Sequence, residues 1–255
     1  MKSIVYSIFI IAVGLCTISC SKQDDGMQHF DKGTGGFRLK APAMENSNDI
    51  PIIYTRSGDI VFDMQPETFP VSICNKEDQA VVKSFESFTA LIEAGTPLVL
   101  PIGDYIVKSC SFIPASNEKV SEKPYFEGTK DFTIEEGEVL NTSVLCKFKS
   151  VGVELRLSDR FKALLASEPV NYDYKVTVSN DLATWSFDKK NMVTGYFLDG
   201  CSRLTVKVVV KMAGLTYPER TWYFKNGENA PQPGEYYIIT LDAGKSELKM
   251  SSCKL

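Results

Sequence analysis

Apolar and polar residues alternate along most of this chain with a period of two, which is typical of half-buried β-strands. The clearest alternation follows Gly103, where Tyr105, Val107 and Ser109 fall on one face. The other segments with strand character are 36–40, 50–54, 60–64, 71–74, 139–148, 151–157, 172–178, 204–212, 221–224 and 236–241. Turn-forming residues separate these short segments, so the sequence predicts an all-β fold.

Two short segments have helical periodicity instead. Between residues 78 and 94 the large apolar side chains recur every three or four positions, which predicts a short helix or helical turn that ends near Gly95. A second helix is predicted after Ser158 and Asp159, which form an N-cap signal, and it carries Phe161 on its apolar face. The expected fold is therefore two consecutive Greek-key β-sandwich domains with one or two short helices. The predicted boundaries are 35–148 for the N-terminal domain and 149–255 for the C-terminal domain.

The amino terminus has the pattern of a secretory signal. Lys2 precedes an apolar run from 4 to 15, which is shorter than the roughly 20 residues that a membrane-spanning helix needs. Small and polar residues then lead to Cys20, in a pattern that resembles the lipobox of bacterial lipoproteins. Residues 1–19 are therefore predicted to be a lipoprotein signal peptide, and Cys20 the acylated residue. The alternative is an ordinary cleaved signal peptide with an incidental cysteine.

Residues 20–34 are predicted to form a lipidated, flexible tether. Several acyl chains on Cys20 would anchor it stably, whereas a single chain binds a membrane only marginally. Lys22, Asp24 and Asp25 resemble the signal that sends Bacteroidetes lipoproteins to the outer face of the outer membrane. The alternative is that these charges only solvate the tether. The single histidine, His29, lies here and is predicted to be solvated.

Charge and composition narrow the function further. The chain has 255 residues and a formal net charge of −4, which argues against nucleic acid as a partner because phosphate binding needs a basic surface. It contains no zinc-protease, serine-hydrolase, phosphate-loop or EF-hand motif, so no metal or cofactor is predicted. The sequence does not exclude a glycosidase whose two catalytic carboxylates are distant in sequence and come together only in the fold. Glu135 and Glu136 are expected to lie in a solvated turn and to point to opposite faces.

Five of the seven cysteines belong to the folded part of the chain. They are Cys74, Cys110, Cys146, Cys201 and Cys253. An odd number cannot pair completely, and several occur in apolar strands, where a free cysteine behaves as a small hydrophobic residue. Free, mostly buried thiols are therefore expected rather than a disulfide framework.

Several short motifs together carry a family resemblance. They are the lipobox, the Gly103–Tyr105 strand start, the Pro124–Gly128 segment and the Leu145–Phe148 run. With these motifs the chain resembles a Bacteroidetes surface lipoprotein family that is known as a domain of unknown function and is similar in layout to the fimbrillins. The resemblance implies a pair of transthyretin-like β-sandwich domains and a place among surface adhesins or pilus-associated proteins. It supplies no catalytic residue.

The expected function is that of an outer-membrane surface lipoprotein facing the cell exterior. It would act as a non-enzymatic adhesin or as a fimbria-associated anchor or accessory protein. Its expected partners are the membrane, through the lipid, a host or bacterial surface protein or glycan, and fimbrial subunits. The second alternative is glycan binding by stacking on aromatic rings, unless these rings lie in the cores; the candidates are Trp185, Tyr196, Trp222 and Tyr223. The third alternative is a carboxylate-based glycoside hydrolase.

The fimbrillin resemblance also implies assembly by strand addition, in which an extended segment completes the sheet of a partner. Two segments are candidates: 35–40, which is displaceable after the tether, and 236–241 with the tail 246–255 as a donor. The alternative is that both segments are edge strands of a monomer. A retained lipid suits an anchor or accessory subunit better than a repeating shaft subunit.

Overall fold

The computed structural model describes residues 29–46, 52–53, 60, 62–167, 171–224 and 230–242. Several predictions lie outside these residues. They concern the signal peptide, the lipidation site Cys20, the export residues Lys22, Asp24 and Asp25, Cys253, and the tail 246–255.

The described residues form an all-β protein with two short α-helices, as predicted. The first half contributes β1 (Thr34–Leu39), β2 (Ala43–Met44), β3 (Ile52–Ile53), β4 (Val71–Asn75), β5 (Val81–Phe85), β6 (Leu98–Pro101), β7 (Gly103–Cys110), β8 (Val120–Ser121), β9 (Phe126–Ile134), β10 (Val139–Thr142) and β11 (Leu145–Phe148). The second half contributes β12 (Val151–Leu157), β13 (Asp173–Ser179), β14 (Thr184–Asp188), β15 (Gly195–Phe197), β16 (Leu204–Met212), β17 (Leu215–Thr216), β18 (Arg220–Phe224) and β19 (Tyr236–Leu241). The helices are α1 (Phe88–Glu93) and α2 (Asp159–Ser167).

The strands form four sheets in the part of the chain that the structure describes. The first has the order β10-β1-β6 and faces the second, which has the order β2-β11-β9-β7-β4-β5. The stacked rings of Phe37 on β1 and Phe132 on β9, with centroids 4.4 Å apart, join these two sheets. The third sheet has the order β3-β19-β12-β15-β8, and the fourth the order β14-β13-β16-β17, with β18 also paired to β16.

The third sheet lies between the two hydrophobic cores, and its strand β19 is buried on both faces. Along β19, Tyr236 and Ile238 belong to the hydrophobic core of the first half, while Tyr237 and Ile239 belong to the core of the second half. This explains why β19 is an almost continuous apolar run, a composition typical of strands that are covered on both sides. The two halves therefore share one sheet as the layer between their cores.

Short strands from the first half also complete both edges of the third sheet. β3 pairs with β19 in parallel, and β8 pairs with β15 in antiparallel orientation. The second half thus depends on main-chain hydrogen bonds from the first half, at opposite edges of the same sheet.

The segment 139–148 is two strands, not the single strand that its alternation predicts. β10 pairs with β1 in the first sheet, whereas β11 pairs with β9 and β2 in the second. The break falls at Ser143 and Val144, and the Val144 side chain is buried in the core. A change of sheet is invisible to a period-two pattern, because both strands keep the same alternation.

The short helix predicted within 78–94 is confirmed with its end before Gly95, but it begins later than the periodicity indicates. Val81 to Phe85 form strand β5, which pairs with β4, and only Phe88–Glu93 are helical. The Ser87 hydroxyl accepts a hydrogen bond from the Ala90 amide at 3.0 Å and caps the helix start. Strand pairing therefore prevails over helical spacing up to this cap. The strand predicted at 60–64 is wrong, since residues 60 and 62–64 have no regular structure.

The second helix follows its predicted cap. The Ser158 hydroxyl accepts a hydrogen bond from the Phe161 amide at 3.1 Å, and Phe161 is buried in the second core.

The alternative in which 35–40 and 236–241 are edge strands is contradicted for both segments. β1 lies between β10 and β6, and β19 lies between β3 and β12. The physical reason is that each strand buries apolar side chains, with Phe37 fully buried on β1 and Leu241 nearly so on β19. A central position covers such side chains better than an edge does.

Candidate functional site

The four aromatic residues that the sequence singles out do not share one surface. Tyr196 lies in the first core, where its ring contacts those of Phe148 and Tyr236 at centroid distances of 6.2 and 6.4 Å. Burial raises the pKa of the Tyr196 hydroxyl to about 12. With 7% of its surface exposed, Tyr196 offers no ring face to a ligand.

The two tryptophans point towards the second core and are only half-buried. The Trp185 ring lies against Gly195, where a Cβ atom would be 2.5 Å from its Cγ. Its Nε1 donates a hydrogen bond to the Val193 carbonyl at 3.0 Å. Trp222 stands opposite Val206 and packs against the same core. Both indoles therefore have packing partners of their own.

Tyr223 alone among the four points outward, and 61% of its surface is exposed. It stands opposite Thr205 on the neighbouring strand β16. The guanidinium carbon of Arg203 lies 4.5 Å from the centre of its ring, which is a cation–π contact. One ring face is thus supported by a cation, while much of the ring remains open to solvent.

Hydroxyl side chains continue from Tyr223 across the outer side of the fourth sheet. The strand registers place them in two neighbouring rows, because residues opposite one another point to the same face. One row is Thr184, Ser179, Thr205 and Tyr223; the other is Ser186, Thr177, Lys207 and Thr221. Thr177 Oγ1 and Ser186 Oγ lie 3.5 Å apart, which confirms that they share a side. We call this surface of two rows the hydroxyl face.

The lysines on and beside the hydroxyl face stand next to acidic residues. Lys207 Nζ forms an ion pair with Glu219 at 3.2 Å, and Lys175 stands opposite Asp188 across β13 and β14. Hydrogen bonds from the backbone amides of Lys190 and Asn191 lower the pKa of Asp188, with a smaller contribution from nearby lysines, so Asp188 is charged at neutral pH. The exposed Lys207–Glu219 pair adds little stability, but these opposite charges leave the face with no strong excess of either sign.

Arg203 is set beside Tyr223 by the turn at the end of the sheet. The Asp181 carboxylate accepts hydrogen bonds from the Ser202 amide at 2.9 Å and from the Ser202 hydroxyl at 3.3 Å. These bonds lower the pKa of Asp181, with a smaller contribution from the charge of Arg203. The residue before Arg203 is thereby fixed to the β13–β14 turn.

Sequence reasoning missed the hydroxyl face. Its signal is the alternation of threonine or serine with valine along β13 and β16, as in Val176-Thr177-Val178-Ser179. This pattern predicts strands, but it does not reveal which strands are neighbours or that their polar sides form one surface.

Two glutamates, one of them in the Glu135–Glu136 turn, have structural partners. Glu136 Oε1 accepts a hydrogen bond from the Gly33 amide at 2.9 Å and so joins its turn to the start of β1. Glu154 accepts hydrogen bonds from Tyr236 Oη at 3.0 Å and from Arg156. Both side chains therefore hold neighbouring elements together.

The four described folded-domain cysteines, Cys74, Cys110, Cys146 and Cys201, are all free thiols, as predicted. No group of three or more His, Cys, Asp or Glu side chains within the described ranges is placed to hold a metal ion. The described helices include none with the length and apolar character needed to cross a membrane.

Comparison with known proteins gives one family match. The model of the domain of unknown function DUF4493 matches residues 34–252, which is most of the chain. A search of curated proteins finds no significant match.

Several solved structures are similar in outline. A fimbrial assembly protein from Parabacteroides distasonis matches with a TM-score of 0.45 and 12% identity, over 88% of this chain and 99% of that one. A candidate cell adhesion protein from Bacteroides uniformis matches with a TM-score of 0.45 and 10% identity, over 84% and 96%. A candidate polysaccharide-binding protein of the DUF1812 family from Bacteroides thetaiotaomicron matches with a TM-score of 0.40 and 11% identity, over 82% and 91%.

Proposed function

We propose, from the premise that the chain belongs to the DUF4493 family, that it is a lipoprotein on the outer face of the outer membrane. It acts as a non-enzymatic adhesin or as a fimbria-associated anchor or accessory protein. Acyl chains on Cys20 hold it in the membrane, and Lys22, Asp24 and Asp25 direct it to the cell exterior. The folded body then presents its sheets to a host or bacterial surface.

The observation that carries this proposal is the position of β1, the first strand after the tether. It is paired along one edge with β10 and along the other with β6. A pull that reaches β1 can extract the strand only by breaking its hydrogen bonds to both neighbours. Resistance to forced unfolding depends on the unfolding barrier. A strand that is paired on both edges suits an adhesive protein, which must stay folded while the attached cell is under tension.

The sharing of the third sheet supports the same role. Its strands contribute to both hydrophobic cores, and β3 and β8 tie its two edges to the first half. Bending between the halves would expose Tyr236 and Ile238 to water, which opposes such motion. The body therefore transmits force as one unit from the tether to its far end.

The central position of β1 and β19 favours an anchor or accessory role over that of a repeating shaft subunit. Displacing β1 would break two sets of main-chain pairings and expose Phe37 and Leu39. The structural partners of Glu136 and Glu154 give the hydrolase alternative no support.

Metabolic labelling with a radioactive fatty acid tests the anchor. Wild-type protein should incorporate label, whereas Cys20→Ala should not, because Cys20 is the residue that carries the acyl chains. Equal incorporation in the two proteins would overturn the lipoprotein assignment.

Protease treatment of whole cells tests the export signal. Replacing Asp24 and Asp25 with Ala should preserve lipidation but reduce cleavage from outside. Asp31→Ala, which changes the next acidic residue along the chain, is the matched control and should leave cleavage unchanged. If the double variant is cleaved like the wild type, the acidic pair serves only as part of the tether.

Binding to arrays of host proteins and glycans tests the adhesive role. Cells that display the wild-type protein should be retained on at least one array component, and cells that express Cys20→Ala should not. Equal retention of both strains would contradict adhesion through this protein.

A further inference from the structure

We propose that the hydroxyl face, with Tyr223 at its edge and Arg203 beside it, binds an uncharged polysaccharide whose chain lies across the strands. This inference rests on the proposed surface role and deepens it by naming a class of ligand. It does not require the lipid anchor for binding itself.

The first argument is the chemistry of the rows. Thr184, Ser179 and Thr205 present three hydroxyl groups in line with the ring of Tyr223. Hydroxyl groups both donate and accept hydrogen bonds, as do the hydroxyl groups of a sugar. An aromatic ring offers an apolar surface to the C–H side of a pyranose, so one row provides both kinds of contact that a sugar makes.

The second argument is spacing. Neighbouring strands lie about 4.8 Å apart, which is close to the length of one pyranose unit in an extended chain. The row from Thr184 to Tyr223 crosses four strands, and three such spacings correspond to roughly 14 Å. About three sugar units would therefore each meet one strand's side chain in register.

The third argument is charge. Lys207 is paired with Glu219, and Lys175 stands opposite Asp188. A face built for an acidic polysaccharide would present unpaired cations, as nucleic-acid-binding surfaces do. The lysines of this face thus have carboxylates beside them, which suits a neutral ligand. Arg203 lies over the Tyr223 ring and near the Asp181 carboxylate.

Arg203 also fixes the orientation of the aromatic ring. Its guanidinium carbon lies over one face of Tyr223 at 4.5 Å, and Asp181 holds the preceding residue, Ser202, in place. A ring held in one orientation loses less conformational freedom when a sugar stacks on it. The ring is thus prepared for a ligand, whereas neither Trp185 nor Trp222 faces this surface.

The test uses full-length protein in detergent and affinity electrophoresis in gels that contain a defined polysaccharide. Neutral xylan, mannan and amylose form one set, and acidic alginate and polygalacturonate form the other. The wild-type protein should be retarded by at least one neutral polysaccharide, with little dependence on salt. Retardation only by acidic polysaccharides, lost as salt is added, would overturn the inference, as would no retardation at all.

Three variants locate the site. Tyr223→Ala should weaken binding about tenfold, which is the scale expected for loss of one stacked ring. Thr205→Val, which keeps the side-chain shape, should weaken it several-fold by removing one hydroxyl. Tyr217→Ala is the matched control: Tyr217 is 47% exposed and stands opposite Val210, five residues along β16 and about 17 Å from the Thr205 position.

Equal weakening by Tyr223→Ala and Tyr217→Ala would overturn the location on the hydroxyl face. Tyr223 is exposed, so its variant should keep the wild-type melting temperature, and a melt of each variant verifies this. Fatty-acid labelling of the same variants separates the two proposals. Lost sugar binding with intact labelling of Cys20 leaves the surface lipoprotein standing, whereas absent labelling overturns the anchor alone.

Discussion

The ring of Phe30 packs directly over Gly36, so closely that a Cβ on residue 36 would lie 2.6 Å from the phenyl Cζ. The turn between them is held by the Thr34 amide, which donates to the Asp31 carbonyl at 3.0 Å. The end of the predicted tether is therefore fastened to the first sheet before β1 begins. The folded body therefore includes Phe30, which lies within the predicted tether.

Gly36→Ala should release Phe30 and destabilise the protein by about 1–3 kcal/mol, the usual cost of overpacking. Phe30→Ala should remove most of that cost when the two changes are combined, because the clashing ring is gone. A double-mutant cycle by urea unfolding measures this coupling. Strict additivity of the two changes would show that the contact does not form in solution.

Gly128→Ala should be more damaging, because the obstacle is backbone. A Cβ there would lie 2.3 Å from the carbonyl oxygen of Leu145, where β9 meets β11. A backbone carbonyl held in a sheet cannot rotate away as a side chain can, so we expect a loss of about 3 kcal/mol or more. Thr129→Ala, at the exposed neighbouring position, is the control and should shift the urea midpoint only slightly.

The sequence predicts strands well where one side of the strand is buried. It predicts them poorly where pairing with a neighbouring strand, and not the apolar pattern, determines the secondary structure. β16 and β19 were predicted at their observed ends, because each has a long apolar pattern between turn residues. β5 was missed because Val81 and Val82 are exposed on the strand, so its apolar residues carry no period-two signal. Its pairing with β4 is what makes it a strand.

The candidate site could not be identified from the sequence for the same reason. Period two places Tyr223 and Trp222 on opposite sides of β18, but it does not say which side faces the core. That choice is made by Val206 and Leu204 of β16, whose buried side chains stand opposite Trp222 and Phe224. The order of strands in the sheet is therefore needed before one exposed ring can be separated from three covered ones.

The buried thiols should react slowly in the folded protein. Burial raises the pKa of Cys146 and of Cys201 to about 11, above the ordinary thiol value. Because the thiolate is the reactive form, alkylation at pH 8 should be slow in native protein and fast in urea. Peptide mass spectrometry assigns the label to each cysteine. Rapid native labelling of Cys146 at pH 8 would contradict its burial.

The same thiols predict how stability depends on alkaline pH. A pKa that is higher in the folded than in the unfolded state means that the unfolded chain releases its proton first as pH rises. The stabilising contribution of the neutral thiols is therefore complete below about pH 8.5, the pKa of an unfolded cysteine, and is lost as pH rises towards 11. Urea midpoints at pH 8 and pH 10 should differ less in Cys146→Ala than in the wild type. An equal difference in both proteins would rule out this thiol as a cause.

Mild trypsin treatment tests whether β1 stays in its own sheet or is replaced by a strand from a partner molecule. Lys32 lies before β1 and is exposed, so cleavage there should be fast. Arg38 lies within β1, whose main chain is paired on both edges, and a protease must first pull the backbone away from those neighbours. Cleavage after Arg38 should therefore be slow, and light scattering at high protein concentration should report monomers before and after digestion.

Fast cleavage at Arg38 with the appearance of larger particles would mean that β1 is released and replaced by a partner strand. Deleting the tail 246–255 then identifies the donor, since particles that persist without the tail must use another segment. A body that stays monomeric while it binds its surface ligand acts as an anchor or adhesin, because its first strand remains part of its own sheet.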